Sequence, residues 1–451
     1  MRIRHVEVKR LFGRLDHEIP FNLDDRVTII HGPNGIGKTW ILKLIAAALS
    51  PQISTLRVVP FASFAITFDD GRTLTVTKPP PETTPDSART TLGQLTFRLQ
   101  RGRAAAQVFK EPERVRRPGF PLSVVDSEIP ELARTGPAEW RSLVTGEEFD
   151  LDAMLERYAE RLPAGLVFED RQARAKVPAW LVELRQEHQN RFIESERLFV
   201  TARAPGTSRE YARRPETEPA VGMYAAELAG TIQRTLADYA NIAQSLDRTF
   251  PSRVVGSAKP KRVAPEELRG QIEELDRRRL ELQNAGLLDS GSADTVQAPA
   301  EIDDSALAIL SVYVDDTRQK LKVLDELAAK TDLMKSTLDR RFRYKHVEIN
   351  RERGLTVRAE DGRPLQLAAL SSGEQHEIVL TYELLFRVRP SSLVLIDEPE
   401  LSLHVAWQEA FLGDLLNMAE LGQFDVVLAT HSPQIIGDRW DLTVQLGTNG
   451  A

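Results

Sequence analysis

Gly32-Pro33-Asn34-Gly35-Ile36-Gly37-Lys38-Thr39 is the stretch on which the reading of this chain turns. It fits the pattern G-x-x-x-x-G-K-[ST] and lies where that pattern has meaning, between a strand and a helix. Arg26 to His31 is rich in β-branched residues, as a buried strand is. Thr39 to Ser50 has helix periodicity and is stopped by Pro51. A glycine-rich loop at that junction lets backbone N–H groups wrap phosphates at the positive end of the helix dipole. Asn34, Gly35, Gly37, Lys38 and Thr39 are therefore the candidate nucleotide contacts. Lys38 is expected to reach the β- and γ-phosphates of ATP, and the Thr39 hydroxyl to hold Mg²⁺.

Further segments belong with this loop. The apolar run Leu393-Val394-Leu395-Ile396 ends in Asp397-Glu398. Asp397, at the carboxyl end of a buried strand, suits the Mg²⁺ shell, and Glu398 suits polarisation of an attacking water. A strand merely reaching solvent gives the same pattern; its place after a phosphate loop raises the chemical reading. Leu370-Ser371-Ser372-Gly373-Glu374-Gln375 opens a helix expected over Gly373–Val388, which makes an anion-binding N-terminus. An ordinary N-cap explains a serine there but not the whole hexapeptide.

Leu370–Gln375 resembles the signature motif of ABC-type ATPases, which binds the γ-phosphate of ATP held by the other protomer. Pro399-Glu400-Leu401-Ser402-Leu403-His404 looks like the dimer-contact loop of the SMC, DNA-repair and OLD branch, and unlike the corresponding segment of transporter ATPases. Thr430-His431-Ser432-Pro433-Gln434 resembles the switch-histidine segment. The motifs fall in family order, whereas the middle of the chain is similar only in layout. The resemblance, which extends to stand-alone ATPases of the AAA_15 and AAA_21 types, implies catalytic roles for Lys38, Glu398 and His431. It implies nucleotide contact from Ser371, Ser372, Gly373, Glu374 and Gln375, and a further Mg²⁺-shell glutamine. Gln100, after the strand expected at Leu95–Leu99, is the candidate for that glutamine. Phe12-Gly13-Arg14 loosely matches a loop that approaches the nucleotide. Two departures bear on function. The inserted helices hold no Cys-x-x-Cys, hence no zinc hook. With twenty residues after His431, no TOPRIM nuclease domain of the kind that follows the ATPase in OLD-family nucleases is expected.

The fold class expected is α/β: an ABC-type P-loop ATPase head with a mostly parallel sheet, an antiparallel β part, and an inserted helical subdomain resembling a short coiled coil. The expected division is 1–220 for the N-terminal part of the head, 221–342 for the helical insertion and 343–451 for the C-terminal part. Helices are expected at Leu151–Arg161, Trp180–Phe192, Tyr224–Asp247, Pro265–Gln283 and Asp304–Phe342. In the last, Leu307, Leu310, Val314, Leu321, Leu324 and Ala328 recur at three-four spacing. A projecting antiparallel hairpin and a plain subdomain packed on the core fit equally.

With 451 residues, one domain plus a large insertion is expected. Absence of cysteine excludes disulfides, thiolate metal sites and a cysteine nucleophile. The eight histidines are scattered and offer no separate metal site. The start of the chain reads as a strand, not a signal peptide, and no apolar run is long enough to span a bilayer; a cytoplasmic protein without a membrane partner is expected. The net charge of −7 does not argue for DNA. Locally, Arg98, Arg101, Arg103, Lys110, Arg114, Arg116 and Arg117 form one basic cluster, and Arg197, Arg203, Arg209, Arg213 and Arg214 another. Both read as solvated surface or as contacts for phosphate or an acidic partner, so DNA stays open.

The expected activity is hydrolysis of ATP to ADP and phosphate, slowly, in a head-to-head pair or a higher even-numbered ring. The resemblance points to the ATPases of bacterial anti-phage systems, PARIS among them. There the ATPase holds a separate TOPRIM-type effector nuclease, and a viral protein triggers its release. The alternative is an SMC-like DNA-repair or DNA-loading ATPase.

Overall fold

The computed structural model describes residues 2–51, 53–78, 94–111, 114–116, 121–129, 131–136, 139–142, 148–158, 161–162, 168–170, 177–193, 199–201, 217–256, 264–288, 302–401 and 403–447. Arg117, the second basic cluster, Ser402 and the proline-rich segment 79–93 lie outside them.

Along the chain run β1 (Ile3–Leu11), β2 (Leu15–Pro20), β3 (Val27–His31), α1 (Lys38–Ala48), β4 (Ser63–Phe68), β5 (Arg72–Thr77), β6 (Thr96–Arg101) and β7 (Gln107–Lys110). Then follow α2 (Ala179–Glu187), β8 (Asn190–Ile193), α3 (Ala220–Gly256), α4 (Pro265–Asn284) and α5 (Asp304–Arg341). The order closes with β9 (Lys345–Asn350), β10 (Gly354–Ala359), β11 (Pro364–Leu365), α6 (Ser372–Tyr382), β12 (Leu393–Asp397), α7 (Val405–Gly422), β13 (Asp425–Ala429) and β14 (Thr443–Gln445). The chain forms two compact units, Met1–Glu196 with Val388–Ala451, and Arg197–Arg387.

The first unit is built on a five-stranded parallel sheet in the order β8-β12-β13-β3-β14. β3, β12 and β13 are near-continuous apolar runs and are buried along almost their whole length, as strands covered on both faces must be. A second sheet, antiparallel, runs β2-β1-β4-β5-β6-β7. Its strands alternate: in β2, Leu15, His17 and Ile19 point inward while Asp16 and Glu18 point out. Val8, Leu11, Ile19, Phe64 and Phe97 of this sheet share one core with Ile41 and Ile45 of α1. The β4–β5 hairpin turns at Asp69-Asp70-Gly71, as its sequence requires, and Asp70 accepts the backbone N–H of Arg72 at 3.0 Å.

One expectation fails here. The helix read over Trp180–Phe192 ends at Glu187, and 190–193 is a strand that pairs in parallel with β12. Four residues are too few to show period two, and the ladder supplied by Leu393–Ile396 decides their conformation. A small cluster also forms where prolines obscure the pattern. Trp140 is fully buried among Val125, Ile129, Phe149 and Met154, and its indole N–H donates to Asp126 at 2.9 Å.

The second unit holds the long helices. α3 has 37 residues, α4 20 and α5 38, and both α3 and α4 pack on α5. Leu307, Leu310, Val314, Leu321, Leu324 and Ala328 are buried, as their spacing predicts. β9, β10 and β11 form an antiparallel sheet whose first turn lies against α3. There Gly354, at φ 70°, comes so close that an added Cβ would stand 1.9 Å from the Ala225 carbonyl oxygen. α6 is held by ion pairs at its buried face: Arg341 meets Glu377, and Lys345 meets Glu374 at 2.6 Å. Residues 343–387, grouped by sequence with the C-terminal part of the head, share this unit with the helices. Among the described residues no helix is long and apolar enough to cross a membrane.

Candidate nucleotide site

In the first unit the phosphate loop links β3 to α1. Gly37 caps α1 at φ 96°, and a Cβ there would lie 2.6 Å from Leu11 Cδ2. Gly32 is equally confined, since a Cβ would stand 2.8 Å from the Leu446 carbonyl oxygen. No side chain caps α1 and no acid occupies its first turn, so its leading N–H groups keep the positive end of the helix for an anion.

Lys38 is only 4% exposed. Its ammonium donates to the carbonyls of Gly32 (3.0 Å) and Pro33 (3.2 Å) and touches the imidazole of His431. Burial holds the Lys38 pKa below the ordinary lysine value, while the nearby carboxylates of Glu398, Asp397 and Glu400 act the other way. Thr39 donates its hydroxyl proton to Asp397 Oδ1 at 3.0 Å. That contact joins positions 358 apart in sequence, the end of β12 to the start of α1. A hydroxyl and a carboxylate side by side form the hard-oxygen donor pair that Mg²⁺ takes. Among the described residues no group of three or more acidic or histidine side chains is placed to hold a metal unaided.

Glu398 follows Asp397 with φ 43°, its N–H bound to the Ala429 carbonyl at 2.9 Å. The turn carries its carboxylate to 3.6 Å from His431 Nε2. Glu400 was legible only as part of a contact loop. In the structure Oε1 of Glu400 accepts the Thr430 hydroxyl at 2.8 Å and the His431 N–H at 2.6 Å. It thereby fixes the backbone from which His431 projects. Phe12 meets Trp40 edge-on at 6.3 Å beside the loop, and Trp440 meets His31 edge-on at 5.5 Å. Gln100 lies on β6 in the antiparallel sheet, where its amide donates to Gly102 at 3.1 Å and it lines a hollow with Arg72, Arg101, Trp180 and Glu183.

The segment 370–375 lies in the second unit. Ser371 is the N-cap of α6, and with Glu374 it forms a capping box: the Ser371 N–H and hydroxyl donate to Glu374 Oε2 at 2.9 and 2.8 Å. Burial pushes the Glu374 carboxyl up, but Lys345 and the Ser371 donors outweigh it and hold the group below its usual value. Gln375 donates to the Ala368 and Leu370 carbonyls. The side chains of Ser371, Glu374 and Gln375 thus serve the local turn, whereas Ser372 is exposed and Gly373 half-buried at the helix start.

Residues 237–437 match an AAA family model. Its description is AAA domain, putative AbiEii toxin, Type IV TA system. The AAA match takes in Ser371–Gln375, Asp397, Glu398 and His431; the loop 32–39 precedes it. No curated protein matches the chain. Solved structures similar to it include an Smc head domain with an extended coiled coil, bound to the C-terminal domain of ScpA, from Pyrococcus furiosus. That structure is 13% identical at a TM-score of 0.32, over 96% of this chain and 91% of that one. The SMC head domain from Thermotoga maritima is 12% identical at a TM-score of 0.29, over 97% and 91%.

Proposed function

We propose that this protein binds and hydrolyses ATP, and that two copies face each other to complete the sites. The observation that carries the first half is a convergence. Lys38, Thr39, Asp397, Glu398 and His431, from three distant stretches of sequence, meet at one end of the parallel sheet. The AAA match agrees with it. Lys38 and the N–H groups of α1 bind the phosphates, Glu398 takes a proton from the attacking water, and His431 touches the γ-phosphate. Thr39 and Asp397 would hold Mg²⁺, which when bound spreads the charge developing on the phosphate oxygens.

In this reading Ser372 and Gly373 of the opposing copy reach the γ-phosphate. Support for a contact between copies comes from the loop after Glu398, which leaves two apolar side chains to solvent near the site, Leu401 at 69% and Val405 at 59% exposed. The matched family's description names a toxin system, which fits a defence setting. There we place the ATPase as a gated scaffold for a TOPRIM-type nuclease supplied in trans, released on a phage trigger. Mass measurement of Glu398→Gln with ATP and Mg²⁺, alone and with its neighbouring gene product, tests this. An ATP-stabilised even-numbered assembly retaining the neighbour is the expected outcome; a mass indifferent to ATP sinks the scaffold reading.

One observation favours a second reading, a DNA-repair or DNA-loading ATPase. Arg98, Arg101, Arg103 and Lys110 are all exposed on and beside β6 and β7. Duplex binding that falls steeply with salt, and is lost when these four become glutamine, would select it.

A further inference from the structure

We infer that His17 is a positioning residue that fixes one peptide of the phosphate loop; this rests on the nucleotide reading above. His17 sits on the inward face of β2 between Leu15 and Ile19 and is 3% exposed. Its Nε2 lies 3.0 Å from the carbonyl oxygen of Ile36, inside the loop. A carbonyl only accepts, so this nitrogen carries the proton, and burial, which lowers the pKa of the ring, favours the neutral Nε2–H form.

The consequence follows from peptide geometry. In a trans peptide the C=O and the following N–H point to opposite sides. Drawing the Ile36 carbonyl toward His17 therefore turns the Gly37 N–H away from β2. That N–H belongs to the residue that caps α1 and stands next to Lys38. The loop cannot hold this orientation by itself. Ile36 is flanked by Gly35 at φ 80° and Gly37 at φ 96°, and glycine takes either sign of φ with little cost. A stiffer residue at position 37 would be strained at φ 96°, and its Cβ would also press on the Leu11 side chain. The Ile36 side chain is anchored in the core, but that anchor does not set the plane of the peptide between Ile36 and Gly37, and His17 fixes it from outside the loop. An aliphatic residue would fill the same inward position without the cost of burying an imidazole, so packing alone does not account for a histidine there.

The test uses the full chain and three substitutions. His17→Gln keeps an N–H at similar reach, His17→Leu fills the space without a donor, and His17→Asn keeps a polar group too short to reach. The readouts are Kd for ATP with Mg²⁺ by calorimetry, KM and kcat for phosphate release, and the thermal midpoint. His17→Leu and His17→Asn should raise Kd and KM about fivefold to tenfold, the worth of one buried hydrogen bond, with a smaller change in kcat. His17→Gln should recover Kd to within about threefold. Wild-type Kd in a folded Leu or Asn variant, or a Gln variant as weak as these, would overturn the inference. If the Leu variant does not fold, the Asn and Gln pair decides. A wild-type chain that binds ATP no better than Lys38→Ala would instead remove the nucleotide reading, and this inference with it.

Discussion

Glu398 takes a backbone conformation that residues with a Cβ seldom adopt, φ 43°, directly after the last residue of β12. Strain of this kind persists where surroundings enforce it, and here the Ala429 carbonyl does so. The turn breaks the alternation of the strand, so Asp397 can meet Thr39 while the next residue meets His431. Glu398→Gln should leave ATP binding within a fewfold of wild type and cut phosphate release about 10²- to 10⁴-fold. Lys38→Ala should abolish binding, read by calorimetry. Glu400 makes a subtler case. Glu400→Ala removes the acceptor for the His431 N–H and the Thr430 hydroxyl; kcat should fall about tenfold with KM little changed, and Glu400→Gln should lie between. The phosphate loop and the acid pair were legible as motifs. Glu400 was not, since its bonds to Thr430 and His431 arise from the fold of two loops 30 and 31 positions apart.

Among elements, the end of α2 sets a pH limit. His188 is buried and stacked on Phe68 at 4.3 Å, and burial lowers its pKa from 6.5 to about 4. The unfolded chain takes up a proton near pH 6.5, which the folded chain refuses until about pH 4. Stability from this group is therefore complete above pH 6.5 and is lost as pH falls toward 4, by about 3 kcal/mol in all. Urea midpoints at pH 7 and pH 5 should show the loss, and His188→Leu should flatten it. The same stretch explains a failure of pattern: α2 and β8 together look like one helix until β12 pairs with 190–193. In the other unit, the turn at Gly354 leaves no room against α3. Gly354→Ala adds both a left-handed penalty and a backbone clash, and should cost about 3 kcal/mol by denaturant unfolding. Nothing in the local sequence marks that glycine as a close approach rather than a plain turn.

For the whole molecule, strand–helix alternation pointed to a parallel sheet covered by helices, and the apolar runs of β3, β12 and β13 hold its centre. The strand β14 at its edge, three residues long, is too short for any pattern to show. If copies face each other as proposed, the Glu398→Gln protein should roughly double in mass with ATP and Mg²⁺ but not with ADP, by light scattering.

The position of β3 also governs when the site can exist. Its neighbours on either side are β13 and β14, residues 425–429 and 443–445. During synthesis the phosphate loop emerges long before these partners, and its strand has an open edge on both sides until they follow. Such long-range pairing is slow and leaves an apolar edge exposed to other chains. Until residues 425–445 follow it, the strand that carries the loop lacks both partners, and a holdase that covers β3 in that interval should raise the yield of folded protein more than added ATP does.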